Sequence, residues 1–336
     1  MKILIVGCGS IGQRHARNLR ELGIQDLLLV DPDRGRAETL AHDLNARSVA
    51  VDEQAYEEKP DVAVICTPTS MHLALAWEAL QRDCHIFVEK PLSDSMRGVA
   101  EFVAAAEMRR RALLVGYNFR FDAALNQVQR WTNEERIGHV TSARFHFGSY
   151  LPWRHPWEDY RSGYGARREL GGGVILDAVH ELDLAVWIFG LPETIYCVGG
   201  KYSDLEIDTE DTAEIVMSYA DKVVAVHLDY VQRPAERWCE IIGTRGRIHA
   251  DLFARSARYF DAERGIWHHA EGVGALEESY KTEMRCLVDC VEGRATPVID
   301  GRIAAKSLLL ADKARASMRR GSPVVLGCAL AKACAG

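Results

Sequence analysis

The sequence predicts an α/β protein in two parts: an N-terminal doubly wound parallel sheet, then an α+β part with an open, mainly antiparallel sheet. Three observations carry this. Residues 2–12, KILIVGCGSIG, run an apolar strand pattern directly into G-x-G-x-x-G. Short apolar runs then alternate with helical stretches as far as about residue 120, as crossover units of a parallel sheet do. From Ile195 onward, paired strands joined by tight turns replace that alternation.

The first element is the most informative. The run from Ile3 to Val6 is bounded by glycine and reads as a fully buried strand. A helix follows to about Leu22, and Leu27-Leu28-Leu29-Val30 makes a second strand ending in Asp31. Strand, glycine turn, helix, strand and acid form the complete dinucleotide fingerprint, so residues 1–120 are read as a Rossmann domain. Gly7, Gly9, Ser10, Ile11 and Gly12 are the expected cofactor-binding turn. Gly7 permits the tight bend, Gly9 lets backbone approach a pyrophosphate, and Gly12 lets the helix pack close. The helix start offers free N–H groups and a positive dipole end. Asp31 is placed to accept both ribose hydroxyls. Arg34 and Arg36 follow it, and an arginine there can hold a 2′-phosphate. Asp31 repels that phosphate, so NAD is the expected cofactor, with NADP left open.

After a helical stretch to about Asn45, Asp61–Cys66 reads as another buried strand, ending in Thr67-Pro68-Thr69-Ser70-Met71-His72. Polar residues at the carboxyl end of a parallel strand face the ligand crevice. Thr67 and Pro68 are therefore expected at the cofactor. Ser70 is a candidate cap for a helix from His72 to Gln81. His72 reads equally as a cofactor contact and as a surface residue. His85–Val88 then delivers Glu89-Lys90-Pro91 to the same edge, with a proline that stops the strand and permits a cis peptide.

The bulk properties bound the function. The 336 residues suit two domains, and 48% hydrophobic with 26% charged is ordinary globular composition. A net charge of −7 gives no reason to expect nucleic acid or an anionic membrane as partner. No apolar run approaches the ~20 residues of a membrane span, and the first run is too short for a signal peptide. Nine cysteines form no C-x-x-C pair. Cys66, Cys286 and Cys290 sit in apolar segments, which suits reduced thiols in a cytoplasm. A metal site from Cys286, Cys290 and a histidine is the weaker reading, so no metal is expected.

At Glu89-Lys90-Pro91 the chain resembles the glucose–fructose oxidoreductase, inositol dehydrogenase and rhizopine catabolism group (Gfo/Idh/MocA). The resemblance starts at Gly7-Cys8-Gly9-Ser10-Ile11-Gly12, continues through the T-P-x-x-x-H turn at residues 67–72, and is most specific at Glu89-Lys90-Pro91. Gly116-Tyr117-Asn118-Phe119-Arg120-Phe121 is similar to the family's G-Y-x-x-R-F segment. Gly171-Gly172-Gly173 then leads to Asp177, His180 and Asp183.

A helix from about Ala123 and an alternating strand from Val140 open the second part, residues 121–336, expected to bind substrate and to oligomerise. Residues 150–168 interleave aromatics and arginines with two prolines, which rules out a regular helix or a central strand. The segment reads either as a surface loop pinned by aromatics or as a substrate loop; long ordered loops favour the second. Trp153, Arg154, Tyr160 and Arg161 are its candidate substrate residues, with Tyr117, Asn118, Arg120, Lys90, Asp177 and His180 elsewhere. Arg154, Arg161, Arg167 and Arg168 suggest an anionic substrate. One helix is expected from Gly173 to Phe189, with Asp177 and His180 three apart on a shared face. The family spaces this aspartate and histidine by four, which weakens Asp177 more than His180.

Hairpins at residues 211–231 and 238–252, then helices near 277–290 and 302–320, complete the chain. His249, His268 and His269 are read as structural. The resemblance implies that the last helix packs back on the nucleotide domain and that the open sheet face pairs subunits as a homodimer or homotetramer. It also implies hydride transfer between a nicotinamide and a secondary hydroxyl or ketone of a sugar, sugar acid, nucleotide-sugar or cyclitol. Lys90, His180 and Asp177 are the catalytic candidates, with His180 as base. Two competing readings stand beside this: an imine or enal reductase that does without His180, and a non-catalytic dinucleotide-binding sensor.

Overall fold

The computed structural model describes residues 1–49 and 52–327. The chain divides into two compact units. The first is Met1–Asn118 with Glu277–Ala305; the second is Phe119–Leu276 with the stretch from Lys306 onward. Among the described residues, no helix is long and apolar enough to cross a membrane.

The first unit holds a parallel sheet of β1 (Lys2–Val6), β2 (Asp26–Val30), β3 (Arg47–Ser48), β4 (Val62–Ile65), β5 (His85–Glu89) and β6 (Leu113–Gly116), in the order β3-β2-β1-β4-β5-β6. Strand order reverses between β1 and β4, which opens a crevice at their carboxyl ends. Both faces are covered, so the strands are near-continuous apolar runs. Ile3, Ile5, Leu27, Leu29, Val62, Val64, Phe87 and Leu114 form one buried core. Helix Leu276–Val291 joins that core through Met284 and Leu287, although some 160 residues of sequence intervene. The helix after β2, Arg34–Leu44, starts at Asp33, whose side chain accepts from Arg36 N–H, and ends at left-handed Asn45. Ser70 does not cap the next helix, His72–Gln81; Met71 precedes it and gives no side-chain cap.

The second unit is built on β7 (Val140–Gly148), β8 (Thr194–Gly200), β9 (Thr212–Ser218), β10 (Val223–Asp229), β11 (Glu236–Gly243), β12 (Gly246–Asp251), β13 (Ser256–Asp261), β14 (Ile266–His269) and β15 (Val324–Val325). They form one sheet, β14-β13-β12-β11-β7-β10-β9-β8-β15. Every neighbouring pair is antiparallel except β7–β10, which is parallel. The strands alternate: Ala213, Ile215 and Met217 are fully buried while Glu214 and Val216 between them are exposed. Helices Ala123–Asn133 and His180–Phe189 lie on the buried face.

One expected element is absent. The single helix from Gly173 to Phe189 is two, Val174–Asp177 and His180–Phe189, broken at Ala178 with φ −95° and ψ 34°. Helical spacing therefore does not relate Asp177 to His180. The break gives up backbone bonds worth about 1 kcal/mol each. In exchange it frees the Asp177 carboxylate for charge-assisted bonds to other elements, which are stronger.

Candidate active site

The residues assigned to cofactor binding from sequence gather at the carboxyl edge of the parallel sheet. Gly7 has φ +94°, and a Cβ there would lie 2.7 Å from the Cys66 carbonyl oxygen. A Cβ on Gly12 would lie 1.9 Å from the Gly7 carbonyl oxygen. A Cβ on Gly9 would meet nothing within 4 Å, so that glycine faces open space. Helix Ser10–Glu21, which carries Ser10 and Ile11, begins there with no side-chain cap and no acid in its first turn. An uncapped helix start above an open glycine suits a pyrophosphate. Asp31 is buried just beyond β2, its Oδ2 accepting from Cys8 N–H at 2.7 Å and its Oδ1 from Asp33 N–H at 2.8 Å. Those two bonds fix the carboxylate with lone pairs to spare for a ribose. Arg36 sits 3.9 Å from Asp31 and 3.8 Å from Asp33, so it is held by acids. At the end of β4, the Thr67 Oγ1 atom is buried with no hydrogen-bond partner among the described residues, beside Pro68. These features fit a dinucleotide. Burial pushes the Cys8 thiol up to about 12, so it is a neutral packing group.

Glu89 ends β5 and is buried. Its Oε1 lies 2.6 Å from His15 Nε2, and its Oε2 accepts from the Lys90 backbone N–H at 3.1 Å. Glu283, fully buried on helix Leu276–Val291, completes a cluster with them: one ligand atom from each of the three lies within 4.8 Å of the others. Burial pushes Glu89 up, but the bond from His15 and the charges of His15 and Lys90 outweigh it and hold this carboxyl below the usual range. Burial and the Glu89 charge push Glu283 well above it. The two carboxyls are thus driven apart, Glu89 toward its charged form and Glu283 toward its neutral form. The sequence reading missed His15 and Glu283. His15 carries a faint signal, three residues past Gly12 on the same helix face; Glu283 carries only its place in an apolar stripe.

Lys90 follows, half-buried, with a cis bond to Pro91. The polar atoms of His72 are engaged differently from the cofactor contact expected. Nδ1 lies 2.7 Å from the Pro91 carbonyl oxygen and Nε2 2.8 Å from that of Thr67. His72 therefore braces the two loops that carry Thr67 and Lys90. Burial lowers its pKa against the pull of the two carbonyls.

Three residues expected at substrate are built into the interior. Tyr117 is fully buried. Asn118, also buried, donates from Nδ2 to Ser279 Oγ at 2.9 Å. Arg120 donates from Nε and Nη2 to both oxygens of Asp183, at 2.9 and 2.8 Å, with Ser307 Oγ donating to the same carboxylate. Its guanidinium lies over the Trp187 ring. The motif marks a packed ion pair, with the Nε and Nη2 edge of Arg120 spent on Asp183.

The segment after β7 forms only short turns: Leu151–Arg154, Tyr160–Ser162, Tyr164–Ala166 and Arg168–Leu170. Most of its arginines pair with acidic side chains. Arg161 pairs with Asp159 and Glu206, and Arg167 with Glu169; the Arg168 backbone N–H donates to the Asp208 carboxylate, and its guanidinium donates to the Asp208 main-chain carbonyl oxygen. Tyr160 Oη accepts from Glu206 N–H. Trp153 is 64% exposed and stands edge-on to Tyr150. Arg154 is the exception, with its side chain only 18% exposed. It donates from Nη1 to Asp177 and lies over the Phe147 and Tyr230 rings at 4.8 Å each. Its Nε and Nη2 atoms are buried without a partner among the described residues. Asp177 also accepts from Tyr164 and, at 3.0 Å, from Tyr230. His180, three residues on, is buried and stacks on Phe119 at 4.4 Å. Arg237 covers the same Phe119 ring and pairs with Glu181 at 2.6 and 2.8 Å. Tyr230, unforeseen from sequence, ends the strand pattern of β10 without any motif.

Two family models match this chain. Residues 1–117 match the oxidoreductase family with NAD-binding Rossmann fold, and residues 125–249 match the GFO/IDH/MocA C-terminal domain. The chain is similar to myo-inositol 2-dehydrogenase of Thermotoga maritima, 26% identical across 97% of this chain and 98% of that protein. It is similar to scyllo-inositol 2-dehydrogenase (NAD(+)) of Bacillus subtilis, 25% identical across 97% and 96%. In fold it resembles the WlbA dehydrogenase from Bordetella pertussis, solved with NADH and UDP-GlcNAcA, at TM-score 0.86 and 20% identity over 97% of each chain. The chain belongs to the Gfo/Idh/MocA family and is an NAD-dependent oxidoreductase.

Proposed function

We propose that the protein oxidises a secondary hydroxyl of an uncharged polyol, a cyclitol or neutral sugar, and reduces the matching ketone. The carrying observation is the charge state around Asp177. Arg154 and Asp177 cancel each other, and Arg161 and Arg167 are already matched to acidic side chains, while the Arg168 guanidinium is held by the main-chain carbonyl of Asp208. An anionic sugar would find three of these four cations already paired with carboxylates. A substrate hydroxyl can donate to the Asp177 carboxylate without upsetting that charge balance. The inositol dehydrogenases among the relatives act on substrates of that chemistry.

Bound NAD supplies the hydride acceptor. In this reading Gly7, Gly9, Ser10, Ile11 and Gly12 hold its phosphates, Asp31 its ribose, and Thr67 and Pro68 its nicotinamide side. Glu89 fixes Lys90 through the backbone N–H bond, and the Lys90 ammonium stabilises the developing alkoxide. His180 takes the hydroxyl proton, its ring held in place by the stack on Phe119. Asp177 orients the substrate by accepting from a second hydroxyl. Residues 1–120 bind the dinucleotide, and the rest binds substrate and pairs subunits. Exposed Tyr196, Val198 and Val216 on the open sheet face support a homo-oligomer.

The test is the initial rate with NAD over cyclitols, neutral sugars, sugar acids and nucleotide-sugars, on the parent, Lys90→Ala and His180→Ala. Turnover of an uncharged polyol is expected, falling on the order of 10²- to 10⁴-fold in both variants. Preference for sugar acids would overturn the uncharged substrate. Turnover that survives His180→Ala would instead favour the imine or enal reductase.

A further inference from the structure

One row of side chains crosses the open face of the second sheet. Strand register aligns Val198 on β8, Glu214 on β9, His227 on β10, His146 on β7 and Trp238 on β11. The three rings in the row lie parallel. His146 stacks on His227 at 4.6 Å with 11° between planes, and on Trp238 at 4.9 Å with 3°.

Next to the imidazoles, oxygen ligands converge. His227 Nε2 lies 2.9 Å from Asp229 Oδ2, and His146 Nε2 lies 2.7 Å from Gln232 Oε1. Ligand atoms of His146, His227 and Asp229 fall within 4.8 Å of one another. We propose that His146, His227, Asp229 and Gln232 form a site for a borderline divalent cation, Zn²⁺ or a neighbouring transition metal, on the open face of this sheet.

Three features separate this from an ordinary polar ladder. First, each ligand is oriented from behind. Asp229 Oδ1 accepts from Val231 and Gln232 N–H at 2.7 and 2.6 Å, which turns Oδ2 toward His227. His227 Nδ1 lies 2.5 Å from Glu214 Oε1, so an outer carboxylate fixes the ring while Nε2 faces the site. Second, the charges balance. Asp229 and Glu214 supply two negative charges against a divalent ion, and its entry leaves both imidazoles neutral ligands, His227 by release of its Nε2 proton to solvent and His146 by moving its proton to Nδ1. Third, Gly148 leaves the space empty of carbon. A Cβ there would lie 2.1 Å from Gln232 Oε1 and 2.4 Å from Asp229 Oδ2.

Two imidazoles, a carboxylate and an amide oxygen suit Zn²⁺ or Ni²⁺ rather than Mg²⁺, which prefers an all-oxygen octahedron. With bonds of about 2.0–2.1 Å to Zn²⁺, the ligand pairs now hydrogen-bonded must part by about half an ångström. The two imidazole planes lie 11° apart in a stack, and a shared ion must lie near the plane of each, so one ring must also tilt; entry of the metal costs the two bonds it replaces and part of that stacking.

The test is calorimetric titration of the NAD-bound protein with zinc chloride, and separately with magnesium chloride. One Zn²⁺ per chain is expected, and no Mg²⁺. Gly148→Ala should weaken Zn²⁺ at least tenfold while removing no ligand. If that variant does not fold, His146→Phe makes the same test, since a phenyl ring preserves the stack on Trp238. Absence of saturable Zn²⁺ uptake would overturn the site. So would uptake that neither variant weakens, which would place the metal elsewhere, for example at Cys286 and Cys290.

Discussion

The carboxyl edge of the parallel sheet and the segment from Tyr150 to Asp183 both carry polar residues, but they are built on different principles. At the sheet edge, function is a property of backbone. Gly7 and Gly12 sit where a Cβ would strike a carbonyl oxygen, and Asp31 is held by two backbone N–H groups. In the later segment, function is a property of partnership. Arg154, Arg161, Arg167 and Asp177 each take their character from side chains they meet in space. A motif reports the first kind faithfully because the same local geometry demands the same residues. It reports the second kind poorly, since an arginine committed to an acid and an arginine waiting for one look identical in sequence.

The sharpest way to break this contrast is Arg120. The motif that includes it places it with substrate, whereas its fork is spent on Asp183, with side chains 6% and 1% exposed. Arg120→Ala leaves a carboxylate buried without its cation, which costs about 3–5 kcal/mol. A large drop in the denaturant midpoint is expected, with the Michaelis constant of the folded fraction little changed. Unaltered stability together with a raised Michaelis constant would return Arg120 to the substrate site.

Glu283 sharpens the contrast from the other side, since nothing local marks it. Its carboxyl is raised well above 4.5 by burial and by the Glu89 charge. A carboxyl raised in the folded state keeps its proton after the unfolded chain has lost its own. Stability is therefore complete below the ordinary glutamate pKa and falls as pH rises above it, until the folded group also ionises. The slope for one proton is about 1.4 kcal/mol per pH unit. Glu283→Gln removes that slope. Melting temperatures of parent and variant should match near pH 4 and diverge by pH 7, with the variant higher. A variant that melts lower at every pH would show that the acid itself is needed there.

The two-part fold was legible for the same reason that the glycine turn was. Strands buried on both faces, half-buried strands and tight turns each write their own period into the chain. The helix break at Ala178 was not legible, because Ile175, Leu176, Val179 and Leu182 keep a helical stripe through it. Tertiary bonds from Arg154 and Tyr230 decide that break. The placement of helix Leu276–Val291 in the first unit was equally hidden. Its apolar stripe says that it packs, and only the fold says on which sheet. The stacked row from Trp238 to His227 depends on strand order, including the parallel β7–β10 pair that hairpin signals do not suggest.

The smallest effect is expected at Arg161, and it bears directly on the uncharged substrate. Arg161 is held by Asp159 and by Glu206, all three exposed to water. Exposed pairs contribute little to stability. Arg161→Ala should leave the melting temperature within a degree or so, and should change the Michaelis constant for any turned-over polyol by less than about twofold. If the loop instead recruits Arg161 to an anion, the same variant would lose its affinity for sugar acids selectively. A comparison of one neutral and one acidic sugar on that single variant therefore separates an arginine that pins its loop from one that reads a charge.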